Sequence, residues 1–232
     1  MKTALITGGS KGIGYGIAAA LVKENWQVAI TGRTKSVLDA AVENLSALAP
    51  GSAIGIVCDV RDLASQEQAV SQVMKHFGGI DLLVANAGIG YFAPVDLLTA
   101  EQWQETIDTN LTGVFYSVKA CLESLKASKG YIITISSLAG TNFFQNGTAY
   151  NASKFGLTGF TQAAMLDLRK YGIKVSTIMP GSVATEFSRH EVNDADGWKI
   201  QIEDIGQMVA DLMRLNPRTL PSKIEVRPSL PR

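Results

Sequence analysis

Only two of the 232 residues are cysteine, Cys58 and Cys121. Two thiols make neither a disulfide framework nor a four-ligand zinc site, so a small disulfide- or metal-stapled fold is excluded and no metal is expected. Both fall in stretches that read as a strand and a helix. Reduced, buried thiols with a packing role fit a cytoplasmic location. An excess of charge is also lacking, with 21 Lys+Arg against 21 Asp+Glu. Nothing in that balance would gather a polyanion, and no nucleic-acid partner is expected. No apolar run approaches the roughly 18 residues that span a bilayer, so no membrane role is expected. The N-terminus offers one lysine and Thr3–Thr7 before glycines begin, too short and too broken for a signal peptide. Proline is nearly missing from the interior, since four of the seven follow Asn216. No linker, repeat or low-complexity segment divides the chain.

What remains is a chain that is 46% hydrophobic, enough for a full core. Apolar or β-branched runs at 2–7, 27–31, 53–58, 81–84, 130–136, 173–179 and 223–226 read as strands. Helical periods separate them, over about 13–21, 35–48, 62–77, 99–127, 150–170 and 203–215. Asp62 is a plausible N-cap, and Glu203-Asp204 places carboxylates at the positive end of the last helix. Most strands are apolar on both faces, as when helices cover both sides of a parallel sheet. The expectation is a single α/β domain with a doubly wound, seven-stranded parallel sheet and helices on both faces. Residues 216–232 read as a strand and an extended tail, either solvated or used in subunit contact.

The first strand ends in Thr7-Gly-Gly-Ser-Lys-Gly-Ile-Gly14 and a helix follows. Glycines 8, 12 and 14 allow a sharp turn and a close approach of backbone to ligand. The first N–H groups of the helix then face an anion, the place of a pyrophosphate in a first βα turn. Gly8, Ser10, Lys11, Gly12, Ile13 and Gly14 are therefore candidate cofactor contacts. A merely structural turn is the alternative. The second strand ends in Gly32-Arg33, with no carboxylate until Asp39. A carboxylate there would take a ribose 2′-hydroxyl, whereas an arginine receives a 2′-phosphate. Arg33 with Lys11 favours NADP(H) over NAD(H). Alternatively Arg33 stacks on adenine and Lys11 points to water.

Tyr150-Asn-Ala-Ser-Lys154 places a phenol and an ammonium four residues apart, on one face of a helix. A phenol titrates near about 10, and a fixed positive charge close by favours phenolate. The expected result is an acid/base group that works near neutral pH on a carbonyl or an alcohol. Alone, the pair also suits an exposed helix surface.

Thr7-Gly-x3-Gly-x-Gly14, Ala85-Asn-Ala-Gly88, Asn110, Ser137, Tyr150-x3-Lys154 and Pro180-Gly181 occur together and in order. In this combination the chain resembles the short-chain dehydrogenase/reductase family from residue 1 to about 185. The resemblance implies a Rossmann-like fold and an oxidoreductase that moves a hydride between NADP(H) and a small-molecule carbonyl/alcohol pair. It implies Tyr150 as general acid/base and Lys154 as the group that lowers its pKa and holds the nicotinamide ribose. It also implies Ser137, 13 residues upstream, as the hydroxyl orienting the substrate carbonyl. Ser136 is adjacent, but alternation on a strand lets only one of the two face the site. Asn110 is implied as holder of a proton-relaying water, with a local backbone hydrogen bond as the alternative. Asn86, Ala87 and Gly88 are implied to line the adenosine side, and Asp59 and Val60 the adenine. An ordinary turn residue is the alternative for Asp59. Pro180, Gly181, Val183 and Thr185 follow as contacts on the nicotinamide side. The family usually has asparagine where Ala85 stands, which touches a strand contact and not the chemistry.

The resemblance further implies a homodimer or homotetramer pairing through 99–127 and 150–170. Residues 182–202 read as a polar substrate lid, with His190 on it. Tyr91, Phe92, Phe143, Phe144 and Gln145 are candidate pocket residues. The chain lacks the longer, Gly-rich tail of many 3-oxoacyl-acyl-carrier-protein reductases, which weakens that alternative. A non-catalytic nucleotide-sensing module is the alternative from another class. It need not keep Asn110, Ser137, Tyr150 and Lys154 together.

Overall fold

The computed structural model describes residues 1–187 and 191–230. Its strands are β1 (Thr3–Ile6), β2 (Gln27–Gly32), β3 (Ala53–Val57), β4 (Leu82–Ala85), β5 (Tyr131–Ile135), β6 (Lys174–Pro180) and β7 (Lys223–Val226). They form one parallel sheet in the order β3-β2-β1-β4-β5-β6-β7. The order reverses between β1 and β4. The loops beyond the carboxyl ends of those two strands therefore diverge and leave a crevice.

Strand alternation divides the core in two. Ile6, Ile30, Leu82, Val84 and Ile133 face one side, with Ile17 and Leu21 of helix α1 (Gly12–Lys23), Leu38 of α2 (Lys35–Leu48), and Ile205 of α7 (Ile202–Arg214). Leu5, Ala29, Leu83 and Ile132 face the other. There they meet Val73 of α3 (Leu63–Phe77), Val118 of α5 (Gly113–Ser128) and Met165 of α6 (Thr148–Leu168). Neighbouring residues of one strand thus belong to opposite cores, which is why these strands are apolar throughout. Asp62 caps α3, accepting from the Ala64 N–H at 2.9 Å, and Gly78 ends that helix at φ +84°. Both cysteines are buried and free.

The reading of 99–127 as one helix is corrected. Helix α4 (Ala100–Ile107) opens with a capping box between Thr99 and Gln102, and then gives way to a wide π turn over Asp108–Thr112 before α5 starts. The turn carries Asn110, whose side chain bonds the backbone of Ile89 and not its own helix. A side chain drawn off to another segment is a physical cause of such a bulge. Of the stretch read as a lid, residues 188–190, His190 among them, lie outside the described residues. No helix among the described residues is long and apolar enough to cross a membrane.

Candidate active site

The glycine turn sits at the crevice, held from below by the loop after β4. Gly8 and Gly12 have φ of +62° and +57°, a region that disfavours any side chain with a Cβ. The Thr7 hydroxyl accepts the N–H groups of Asn86 and Ala87 at 3.0 and 3.1 Å. The Asn86 amide donates back to the Thr7 and Gly8 carbonyls at 2.9 and 3.1 Å. Asn86 is thus spent on shaping the turn. A Cβ on Gly14 would lie 2.5 Å from both the Asn86 Nδ2 and the Gly8 carbonyl oxygen, so only glycine fits this approach. Helix α1 begins without a side-chain cap and without an acidic residue in its first turn. Its N-terminal N–H groups are left for an anion. Thr185 stands over this end, its side chain 3.5 Å from where a Gly12 Cβ would be. The residues fit a dinucleotide phosphate held between turn and helix.

On the other side of the crevice, β5 and α6 bring the polar groups together. Ser136 turns inward, and its hydroxyl reaches the Lys154 carbonyl and the Thr158 hydroxyl. Ser137 turns outward. Its oxygen accepts the Ala139 N–H at 3.1 Å and its O–H donates to the Pro180 carbonyl at 3.5 Å, and the hydroxyl is near enough to the Tyr150 phenol to favour its phenolate. Lys154, one helical turn beyond Tyr150, is buried and donates to the Ile135 carbonyl at 2.9 Å. Its Nζ lies 5.7 Å from the Tyr150 ring centre. Asn110 completes the group, giving and accepting 2.8 Å bonds with the Ile89 backbone and donating to Ser153 at 3.0 Å. Gly88 passes close to this group, since a Cβ on it would sit a tight 3.3 Å from the Asn110 Oδ1 and 3.7 Å from the Lys154 Nζ.

The electrostatics differ from the sequence expectation. Burial pushes the Tyr150 phenol up to about 12, only partly opposed by the Ser137 hydrogen bond. Burial likewise pushes the Lys154 ammonium down to about 8. Withdrawal from water disfavours both charged forms and is the leading cause of both shifts. The lowered phenol pKa is therefore corrected: the phenol keeps its proton at neutral pH.

Beyond the ends of β2 and β3 the charges are already paired. Arg61 grips Asp59 with its Nε and NH2 groups and reaches Glu105 at 3.2 Å. Arg33 lies 3.8 Å from the same Glu105, and Lys11 bonds Glu186 at 3.0 Å. The Arg61 guanidinium holds the Asp59 carboxyl below its usual range.

A model of the short chain dehydrogenase family matches residues 2–196. The trans-4-hydroxycyclohexanecarboxylate dehydrogenase of Sinomonas cyclohexanicum is 36% identical over 189 residues, 79% of this chain and 73% of that protein. The chain is a short-chain dehydrogenase. Among solved structures, an alcohol dehydrogenase from the archaeon Thermococcus sibiricus, complexed with 5-hydroxy-NADP, superposes with a TM-score of 0.94 at 28% identity, covering 100% of this chain and 98% of that one. A 3-ketoacyl-ACP reductase from Sinorhizobium meliloti 1021 gives 0.88 at 31% identity, with 97% of each chain covered.

In this short-chain dehydrogenase the crevice gathers Gly8, Ser10, Lys11, Gly12, Ile13 and Gly14 on one wall and Asn110, Ser137, Tyr150 and Lys154 on the other. Pro180 ends β6 behind Ser137. Gly181 is fixed by its N–H to the Val226 carbonyl at 2.8 Å. Val183 is tied to Ile200 as an isolated bridge. Val60 is turned away, a buried side chain whose carbonyl is taken by the Gln66 amide at 2.7 Å. The sequence reading gave no site role to Arg61 or Glu105, quoted Thr7 only as the first residue of the glycine motif, and placed Phe187 only within the lid 182–202. The hydroxyl of Thr7, just before the turn, was the one visible signal. Arg61 after β3, Glu105 on α4 and Phe187 after β6 are placed only by the fold.

Proposed function

We propose that the chain catalyses reversible hydride transfer between NADP(H), preferred over NAD(H), and a carbonyl/secondary-alcohol pair, with Tyr150 as proton donor and acceptor. The observation that carries this is the convergence of Ser137 and the Tyr150 phenol on a buried Lys154, whose Nζ lies 5.7 Å from the Tyr150 ring centre. When bound, the nicotinamide ring supplies the hydride in one direction and takes it in the other. In reduction the carbonyl carbon gains that hydride and the oxygen gains the Tyr150 proton. A phenol held at about 12 retains its proton until negative charge develops on the substrate oxygen. Ser137 offers a hydrogen bond to the same oxygen. Lys154 steadies the phenolate as it forms, and Asn110 fixes the Ile89 backbone beside it. Gly8 to Gly14 with Thr185 would hold the pyrophosphate and nicotinamide side. Arg33 and Lys11 would take the 2′-phosphate. Each already binds a carboxylate, the kind of oxyanion partner a phosphate ester provides.

Tyr150→Phe tests the reading. Turnover should fall at least a thousandfold while NADPH still binds. Wild-type rates in the variant would refute the assignment. NADPH binding without turnover of any carbonyl by the wild type would favour a nucleotide-sensing module. A 3-oxoacyl-thioester reductase is the second reading, favoured by the likeness to the Sinorhizobium reductase. Pairing of copies through α5 and α6 is supported by Phe115, Phe155 and Leu166, all exposed on those helices. Sedimentation of the purified chain checks it.

A further inference from the structure

Three loops build a phenylalanine cluster at the Tyr150 ring, two of its members touching the ring directly. Phe92, after β4, meets it edge-on at 5.4 Å and 69°, and Phe187, after β6, meets it at 5.7 Å and 56°. Phe144, between β5 and α6, packs on Phe92 at 5.8 Å and 52°. Phe92 and Phe187 also touch each other, at 6.4 Å and 62°. No two of these rings stack flat. Each presents an edge or a tilted face to its neighbour, the arrangement aromatic quadrupoles favour.

The cluster is not buried core. Phe92, Phe144 and Phe187 are 45, 48 and 37% exposed, so apolar ring surface is left in water at the mouth of the site. Room has also been made for it. A Cβ on Gly90 would come within 2.8 Å of Phe92 and 3.0 Å of Phe187, so both rings reach Tyr150 only because residue 90 is glycine.

We infer that the substrate carries a flat, uncharged aromatic ring on its carbonyl carbon, as in an aryl ketone and the matching benzylic alcohol. This rests on the hydride-transfer reading above. A carbonyl oxygen bonded by Tyr150 and Ser137 has its carbon beside the Tyr150 ring. The first group on that carbon falls among Phe92, Phe144 and Phe187. A planar ring offers these side chains the edge and face contacts they now make with one another, and removes their exposed surface from water. A saturated group fills the volume without the quadrupole. A carboxylate on that group would meet the negative ring faces and lose its hydration.

The test measures kcat/KM with NADPH for acetophenone, cyclohexyl methyl ketone and acetoacetate, in the wild type, Phe92→Leu and Phe187→Leu. Acetophenone should lead both others by at least tenfold. Each leucine variant should erase most of that lead while its NADPH dissociation constant stays within twofold. A preference for acetoacetate, or an aryl lead that survives both variants, overturns the inference and leaves the redox reading intact. If no ketone turns over, binding of benzamide, which is not reduced, to the NADPH complex is followed by calorimetry. Benzamide binding that weakens tenfold in Phe92→Leu upholds the aromatic cleft while the redox reading fails. Absence of benzamide binding overturns the cleft as well.

Discussion

The Lys154 ammonium donates to the Ile135 carbonyl, 2.9 Å away, from a residue only 4% exposed. One backbone dipole is scant compensation for a buried positive charge, and the ammonium is held down to about 8.

A pH dependence of stability follows from that burial. The folded-state value lies below the unfolded one of about 10.4. Below pH 8 the group is charged in both states and the folded protein carries the full burial penalty. Between about 8 and 10.4 the unfolded chain binds more protons, so stability rises with pH. Lys154→Met removes this term. Its stability relative to wild type should be highest near pH 7 and drop by on the order of 3 kcal/mol by pH 10.4. Urea unfolding of both proteins across that range measures it. A pH-independent difference would mean that Lys154 is not destabilised by burial.

Asn110 is a second buried group, but a satisfied one. It accepts from the Ile89 N–H and donates to the Ile89 carbonyl, both at 2.8 Å, and donates to Ser153. Asn110→Leu would leave both Ile89 groups unpaired inside the protein. A loss of about 2–4 kcal/mol is expected, because an orphaned buried group costs about 1–3 kcal/mol. Reduced turnover should accompany it, since the same bonds set the backbone next to Gly88 and Lys154. Unfolding at equilibrium checks the first, and initial rates the second. Unchanged stability would show that the Ile89 backbone finds other partners.

Gly14 tests the cradle itself. A methyl group there meets the Asn86 amide and the Gly8 carbonyl oxygen, each 2.5 Å away, and neither is a flexible chain end. Gly14→Ala should destabilise the fold by about 1–3 kcal/mol through this overlap. It should also abolish dinucleotide binding, because the turn has to move. Gly79→Ala is the control, with nothing within 4 Å of the added carbon. Fluorescence titration with NADPH distinguishes them. Tight binding by Gly14→Ala would refute the fit.

The layout of strands and helices was legible in the sequence because it is written in local periodicity. The glycine turn and the Tyr150–Lys154 pair were legible because each lies within one helical turn or one loop. Alternation along β5 correctly implied that only one of Ser136 and Ser137 faces outward. Three features were not legible, for a shared reason. The π turn within 99–127 depends on Asn110 bonding Ile89, 21 residues away. The direction of the Tyr150 shift depends on how deeply the fold buries it, which a four-residue spacing does not state. The pairing of Arg61, after β3, with Glu105 of α4, and the placing of Phe187, after β6, against Tyr150 of α6, depend on elements far apart in sequence meeting above the sheet.

The proposed NADP(H) preference rests on Arg33, the cation that follows β2 where a ribose-binding carboxylate would otherwise stand. It is well exposed and lies 3.8 Å from Glu105, a separation that marks a loose ion pair. Such pairs are worth about 1 kcal/mol or less, so the guanidinium is free to exchange its partner for a phosphate. Arg33→Ala should raise the NADPH dissociation constant by about tenfold to a hundredfold, the worth of about 1.5–3 kcal/mol for a charge-assisted bond. NADH, which lacks the phosphate, should be affected less than threefold. Paired titrations with the two cofactors read this directly. An equal loss for both would place Arg33 against the adenine ring and not the 2′-phosphate. The NADP(H) preference would then rest on Lys11 alone, whose bond to Glu186 has to open to receive the phosphate.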